Sequence, residues 1–450
     1  MINLKLHDRY DEDKLCENPD KGWYLHYYDN SVDKYFGGRD ENDFLPDLPC
    51  LDHIYLRLAW SYLEPEEGKY NWEFIDRIID PWVAHGKKIA FRITCKEWEP
   101  PKSDPYYIQQ TYATPKWVFD AGAKYLMAGG AEPDYDDPIF LEKLENFHRA
   151  FAARYDSRPE VIYVDIGSYG TWGEGHTWGG SNKTWPADTL IKHFDIFLRC
   201  YKHTQIVMSD DVTFGSRSPE ENHRLADYLI EHGISIRDDS VCVKAGSDTF
   251  GYDTLRSSAL YDRAWRDHPT VLELEHYHIA KDFNNYEDGW PHLASVVGSH
   301  ATYSGFHGNA RKYLEENPEM AVMTANRLGY WYFLYSADLP DEITSGKFDI
   351  FCCWENKGAA RAYHKYHLKF KIEGDAGTYY SDCEQFANCE MMPHTYTRRK
   401  YNLDFDGAKA GEYKLSLRMY DDTDRTIEIG MKDEYRSADG YYEIGNICIK

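Results

Sequence analysis

Residues 160–176 read EVIYVDIGSYGTWGEGH. The first half is a strand: Val161, Ile162, Tyr163, Val164 and Ile166 form a short β-branched and aromatic run. The second half is a loop in which Gly167, Gly170, Gly173 and Gly175 alternate with Tyr169, Trp172, Glu174 and His176. Glycines let a backbone turn sharply and approach a ligand closely. A carboxylate among aromatic rings just past the C-terminal end of a strand is where an α/β barrel keeps its chemistry. Taken alone the stretch is equally a glycine-rich turn with a solvated Glu, so the rest of the chain must decide.

The surrounding chain alternates strand and helix. Strands are expected at Gly22–Tyr28, His53–Trp60, Lys88–Cys95, the opening stretch, Gln205–Asp210, Ile234–Val243, Thr270–His276 and Ala301–His307. Helices are expected over Pro138–Tyr155, Thr189–Tyr201, Pro219–His232, Ser258–Arg266 and Pro318–Leu328, with helical spacing also at Phe74, Ile75, Ile78, Ile79 and Trp82. Eight such units in about 330 residues make an α/β chain closed into a (β/α)8 TIM barrel. No G-x-G-x-x-G follows the first strand, which argues against an open dinucleotide-binding sheet and gives no cofactor signal. From Tyr330 onward the pattern becomes short alternating strands, among them KFDIFCCWEN and EYKLSLRMY, and predicts an antiparallel β-sandwich. The expected division is a barrel over residues 1–332 and a sandwich over 333–450.

Composition narrows the partners. The chain carries 76 acidic and 51 basic residues, a formal net charge of −25, which repels nucleic acid and anionic membranes. No apolar run reaches membrane-spanning length, and the N-terminus MINLKLHDRYDEDK has no signal-peptide pattern. The expected location is the cytoplasm, or outside it if a signal has been removed. Ten scattered cysteines show no zinc spacing and read as mostly free thiols, with Cys383–Cys389 the one conceivable pair. The surplus of 38 Tyr and 13 Trp suits stacking on sugar rings, so a carbohydrate is the expected partner, and a homo-oligomer stays open.

Strand ends locate the candidate chemistry. They bear Arg57 and Trp60, Glu97 and Trp98, Trp172, Glu174 and His176, Asp210 and Asp211, Asp238 and Asp239, Glu273, Glu275, His276 and Tyr277, and His307. Glycoside hydrolysis needs two carboxyls, one to protonate the leaving oxygen and one to attack or stabilise the oxocarbenium-like centre. Glu174 and a strand-seven glutamate are the expected pair. Strand alternation puts Val271, Glu273 and Glu275 on one face and Leu272 and Leu274 on the other. Glu275, nearer the rim, is the expected nucleophile; Glu273, deeper, is expected to pair with Arg57 or Arg92. Trp60, Trp98, Trp172 and Tyr277 are stacking candidates, and His176, His276 and His307 would bond hydroxyls. Asp210 and Asp239 are assigned to the substrate. Four aspartates on adjacent strands also suit a hard divalent cation, but sugar hydroxyls or Arg237 are preferred and no metal is expected.

The run Tyr55–Trp82, YLRLAWSYLEPEEGKYNWEFIDRIIDPW, resembles the second-strand region of glycoside hydrolase clan A, especially its β-galactosidases with W..lEP..G.ynf. Glu174 and Glu275 are placed like that clan's acid/base and nucleophile. With GTWGEGH and the late segment SGKFDIFCCWENKGAARAYHKYHLKFKI, the chain is also similar to poorly defined bacterial barrel-plus-sandwich proteins related to the clan. One departure matters: the clan's acid/base follows an Asn that holds the sugar 2-hydroxyl, and Gly173 stands there. The resemblance implies a retaining mechanism, with the carboxyls about 5–5.5 Å apart. Glu174 would then need a raised pKa, which Trp172 and the charge of Glu275 are expected to supply. The alternatives are a sugar-binding protein on a glycosidase fold, or a metal-dependent barrel hydrolase.

Overall fold

The computed structural model describes residues 1–29, 44–97, 113–126, 132–215, 217–243, 258–306 and 310–450. Eight strands close into a barrel in chain order: Gly22–Asp29, Leu51–Ala59, Lys88–Thr94, Val161–Asp165, Gln205–Ser209, Ser235–Val241, Thr270–Leu274 and Ala301–Phe306. The pairings from the first strand to the seventh are all parallel. A parallel barrel needs crossover helices, and the sequence marks them clearly. Pro138–Tyr155 starts at Asp137, whose carboxylate accepts the amides of Ile139 and Phe140, with Pro138 in the first turn. Its buried Phe140, Leu144, Phe147, Phe151 and Tyr155 recur every three or four residues, one apolar stripe. Pro219–Glu231 repeats the device with Ser218 and Pro219.

Side-chain parity fills the barrel. Tyr24, Tyr55, Ala90, Tyr163, Val207, Val271 and Tyr303 form one interior cluster, and His53 joins it by contacting the Tyr163 hydroxyl at 3.0 Å. Tyr24 fits because strand eight offers Gly305; a Cβ there would lie 2.2 Å from the Tyr24 ring. Two residues further along five of these strands the inward positions turn polar, at His26, Arg57, Arg92, Asp165 and Glu273, and Arg237 on strand six joins them. The barrel is therefore plugged by aromatic rings beneath and charged at its C-terminal end.

The chain divides into two compact units: Trp23–Ser295 with Tyr303–Glu316, and Met1–Gly22 with Val296–Thr302 and Asn317–Lys450. In the second unit Ile2–Lys5, Tyr332–Leu339, Lys347–Asn356 and Tyr396–Asp404 form an antiparallel sheet, with Ile2–Lys5 at its edge. A second antiparallel sheet combines Gly377–Asp382, His367–Gly374, Gly411–Tyr420, Thr426–Ile427 and Tyr442–Ile449. Leu334, Ile350, Trp354 and Leu403 from one sheet share a core with Phe370, Ile372, Leu415 and Leu417 from the other. Asn356 ties the late segment WENKGAA together. Its amide accepts from Trp331 and Gly358 and donates to Ala360 and Met391. Cys383 and Cys389 are separate thiols. No helix among the described residues is long and apolar enough to cross a membrane.

Candidate active site

The loop after strand four is wound so tightly that only glycine fits at its turns. Gly173 has φ +74°, and a Cβ on it would lie 2.5 Å from the Cα of Gly167. Gly175 has φ +84°, and its Cβ would meet Val212 at 2.5 Å. Just before them the chain holds Trp172 at φ 56°, a left-handed backbone that costs a non-glycine residue about 1–3 kcal/mol. The Trp172 amide is anchored on the Lys96 carbonyl at 2.8 Å, and the Thr171 amide on that of His176 at 2.7 Å. This winding turns Glu174 inward, where it is 5% exposed.

Three groups meet the Glu174 carboxylate. Arg92 donates to Oε1 at 3.2 Å, Arg57 stands 3.6 Å from the same oxygen, and His176 Nε2 lies 3.4 Å from Oε2. Burial pushes the Glu174 carboxyl up, but the His176 hydrogen bond and the charges of Arg92 and Arg57 overcome it. They hold the group at about 2 instead of its usual 4.5. This is opposite to the raised value expected from Trp172 and Glu275. Opposite charge a few ångströms away outweighs an adjacent indole.

The charges continue as a chain across the barrel. Arg92 Nη1 is 3.9 Å from Asp165, which also takes the Tyr55 hydroxyl at 2.5 Å and Arg237 Nε at 2.8 Å. Arg237 Nη1 in turn donates to Glu273 at 3.1 Å, and His26 Nε2 is 3.5 Å from the same Glu273 oxygen. Burial, reinforced by the three arginines, keeps His26 neutral. Glu273 thus pairs with an arginine as expected, but with Arg237; Arg57 and Arg92 face Glu174. Arg57 also lies 3.6 Å from Glu97, which accepts the Thr94 hydroxyl at 2.6 Å. Buried charge survives only when paired in this way.

Strand seven ends at Leu274, so Glu275 lies one residue beyond it, half-buried, its Oε1 accepting the His276 amide at 2.9 Å. Burial, with His278 adding to it, pushes the half-buried His276 down to about 3, a neutral hydrogen-bonding ring. Trp172 is half-buried beside His176, with ring centroids 6.3 Å apart, and Trp178 stands 49% exposed next to both. Asp210 is buried, with the Tyr261 hydroxyl at 3.4 Å, while Asp211 comes within 3.9 Å of His176.

Two expected stacking residues lie elsewhere. Trp60 is wholly buried among Trp117, Phe140 and Phe147, its indole donating to Glu64 at 2.8 Å. Strand two runs straight into the short helix Trp60–Leu63, which swings that ring off the barrel mouth. Tyr277 begins a helix and packs against Tyr286 and Tyr313, its hydroxyl on Glu316 at 2.7 Å. Trp98, His307 and the side chain of Asp239 lie outside the described residues. Sequence reasoning does not reach Asp165, His26 or Trp178. The first two carry a signal all the same, each sitting two residues after an inward tyrosine on its strand. Among the described residues no group of three or more His, Cys, Asp or Glu is arranged to hold a metal.

Residues 55–171 match the glycoside hydrolase family 42 model, described as beta-galactosidase, a match that stops just short of Glu174. Over 108 residues the chain is 29% identical to the β-galactosidase Pbg of Clostridium perfringens, covering 24% of this chain and 15% of that protein. The same identity and shares hold for the β-galactosidase GanA of Bacillus subtilis. The aligned stretch therefore spans less than a fifth of these relatives' length. Among solved structures, endo-glycoceramidase II from Rhodococcus sp. aligns over 87% of this chain and 99% of its own, at 13% identity and a TM-score of 0.41. From its second barrel strand into the loop that leads to Glu174, this chain is similar to the β-galactosidases of glycoside hydrolase family 42, in clan A.

Proposed function

We propose that this chain is a retaining glycoside hydrolase acting on a neutral glycan, with a β-galactoside the first substrate to test because the relatives are named for that activity. The observation that carries the reading is the Glu174 carboxylate at the C-terminal end of the barrel, joined through Arg92, Asp165 and Arg237 to Glu273 on strand seven. One end of such an ionised array can face a developing positive charge at an anomeric carbon. Glu275, just past the same strand, is the second working carboxyl. Trp172 and Trp178 offer rings to a sugar, and His276, held neutral, offers a hydroxyl partner.

The electrostatics favour a division of labour opposite to the clan's. A carboxyl that the His176 hydrogen bond, Arg92 and Arg57 hold well below its ordinary value is ionised and suits attack on the sugar, whereas proton donation needs a carboxyl that keeps its proton. In this reading Glu174 attacks and Glu275 donates. The clan's assignment, with Glu174 as acid/base, is the second reading, favoured by the position of Glu174 after strand four. Azide rescue separates them. With an activated aryl glycoside, Glu174→Gly should fall by about 10³-fold or more. Azide should then restore turnover to give a glycosyl azide of inverted configuration. An azide product of retained configuration would reverse the two roles. Sugar binding without hydrolysis by the unaltered chain would sink the enzymatic reading.

A further inference from the structure

His176 is the one contact of Glu174 whose direction is set by the backbone. The Trp178 amide donates to His176 Nδ1 at 3.2 Å, so Nδ1 is an acceptor and the ring proton of the neutral imidazole sits on Nε2. Nε2 points at two carboxylates, Glu174 Oε2 at 3.4 Å and Asp211 Oδ2 at 3.9 Å. The same loop turn fixes both ends: the His176 carbonyl takes the Thr171 amide at 2.7 Å, and a Cβ at Gly170 would lie 2.2 Å from that carbonyl oxygen. Arg92 and Arg57 hold the other Glu174 oxygen from strands three and two. A guanidinium only donates, whereas a neutral imidazole has one donor and one acceptor nitrogen, so His176 is the member whose orientation the backbone must fix.

We propose that His176 is a positioning residue: locked as the Nε2–H tautomer by the Trp178 amide, it holds the second oxygen of Glu174 and keeps that carboxylate aimed. The proposal rests on Glu174 being a working carboxyl, but its geometry does not depend on turnover. The main-chain amide occupies Nδ1, which leaves the Nε2–H directed at the Glu174 carboxylate, with Asp211 as the second acceptor.

Two NMR readouts on the 450-residue chain test this without any substrate. In protein labelled with ¹⁵N-histidine, His176 should give the signature of an unprotonated Nδ1 and a protonated Nε2; the reverse tautomer would overturn the proposal. In protein labelled with ¹³C-glutamate, with Glu174→Gln identifying the resonance, His176→Leu should raise the Glu174 titration midpoint by about one pH unit. His176→Gln, which keeps a side-chain N–H donor, should stay within roughly 0.3 unit of the unaltered chain. A midpoint unmoved by His176→Leu, or moved equally by both changes, would show that the ring only fills space. Absence of glycosidase activity would end the proposed function while leaving these two results to stand or fall on their own.

Discussion

The Glu174 carboxylate, two arginines and one imidazole meet inside a few ångströms, and their balance gives the residue a measurable pH signature. The folded carboxyl is held below its ordinary 4.5, at about 2, so the fold binds its ionised form more tightly than the unfolded chain does. A depressed carboxyl stabilises the fold above its unfolded value, and that stability is lost as pH falls through the folded one. The unaltered chain should therefore be more stable than Glu174→Gln near pH 6, by on the order of 3 kcal/mol at most. The gap should narrow as the pH drops from about 4.5 toward 2. Urea denaturation of both proteins across that range measures it, and a gap that widens toward acid would contradict the assignment. At this scale the sequence was only half legible. Inward parity predicted Arg57, Arg92 and Glu273 from alternation with Val271. It gave no account of Asp165, which interrupts an apolar strand run, although three partners converge on it.

At the scale of elements, the loop after strand four is a backbone device, and its glycines should divide by crowding. Gly68 and Gly173 both sit at φ +74°, but a Cβ at Gly68 meets nothing within 4 Å while one at Gly173 meets Gly167. Gly68→Ala should cost about 1 kcal/mol, the strain of the left-handed backbone alone. Gly173→Ala should cost at least about 2 kcal/mol more, because main chain cannot step aside. Equal losses in chemical denaturation would mean the loop is looser than this. Strands and helices of the barrel were readable to within a residue or two, since a parallel strand buried on both faces is a continuous apolar run. Strand seven came out shorter than read, ending before Glu275, because His276 already opens the next helix. The same kind of early turn carried Trp60 and Tyr277 into aromatic cores, which periodicity alone does not foresee.

For the whole molecule, the chain ends fold together: residues 1–22 belong to the unit built mainly from 317–450. Ile2–Lys5 is the edge strand along Tyr332–Leu339, in register from Ile2 against Leu339 to Lys5 against Ser336. Removing residues 1–5 would leave the outer edge of that neighbour unpaired, and should destabilise this unit by roughly 1–3 kcal/mol. Limited proteolysis should then cut faster within 332–356, and an unchanged cleavage rate would contradict it. The late strands were the least legible part. Gly377–Asp382 and Tyr396–Asp404 are polar and largely exposed, so neither shows the apolar alternation that marks a half-buried strand. The two-sheet architecture was nevertheless readable from Lys347–Asn356 and Gly411–Tyr420, whose alternate residues enter the shared core.

If Glu174 attacks the sugar as proposed, a slow, fluorinated aryl galactoside should trap it. Incubation with the unaltered chain should add the mass of one fluorosugar, and peptide mapping should find it on Glu174. An adduct on Glu275 or Glu273 would contradict attack by Glu174, as would the release of a product of inverted configuration with no adduct at all.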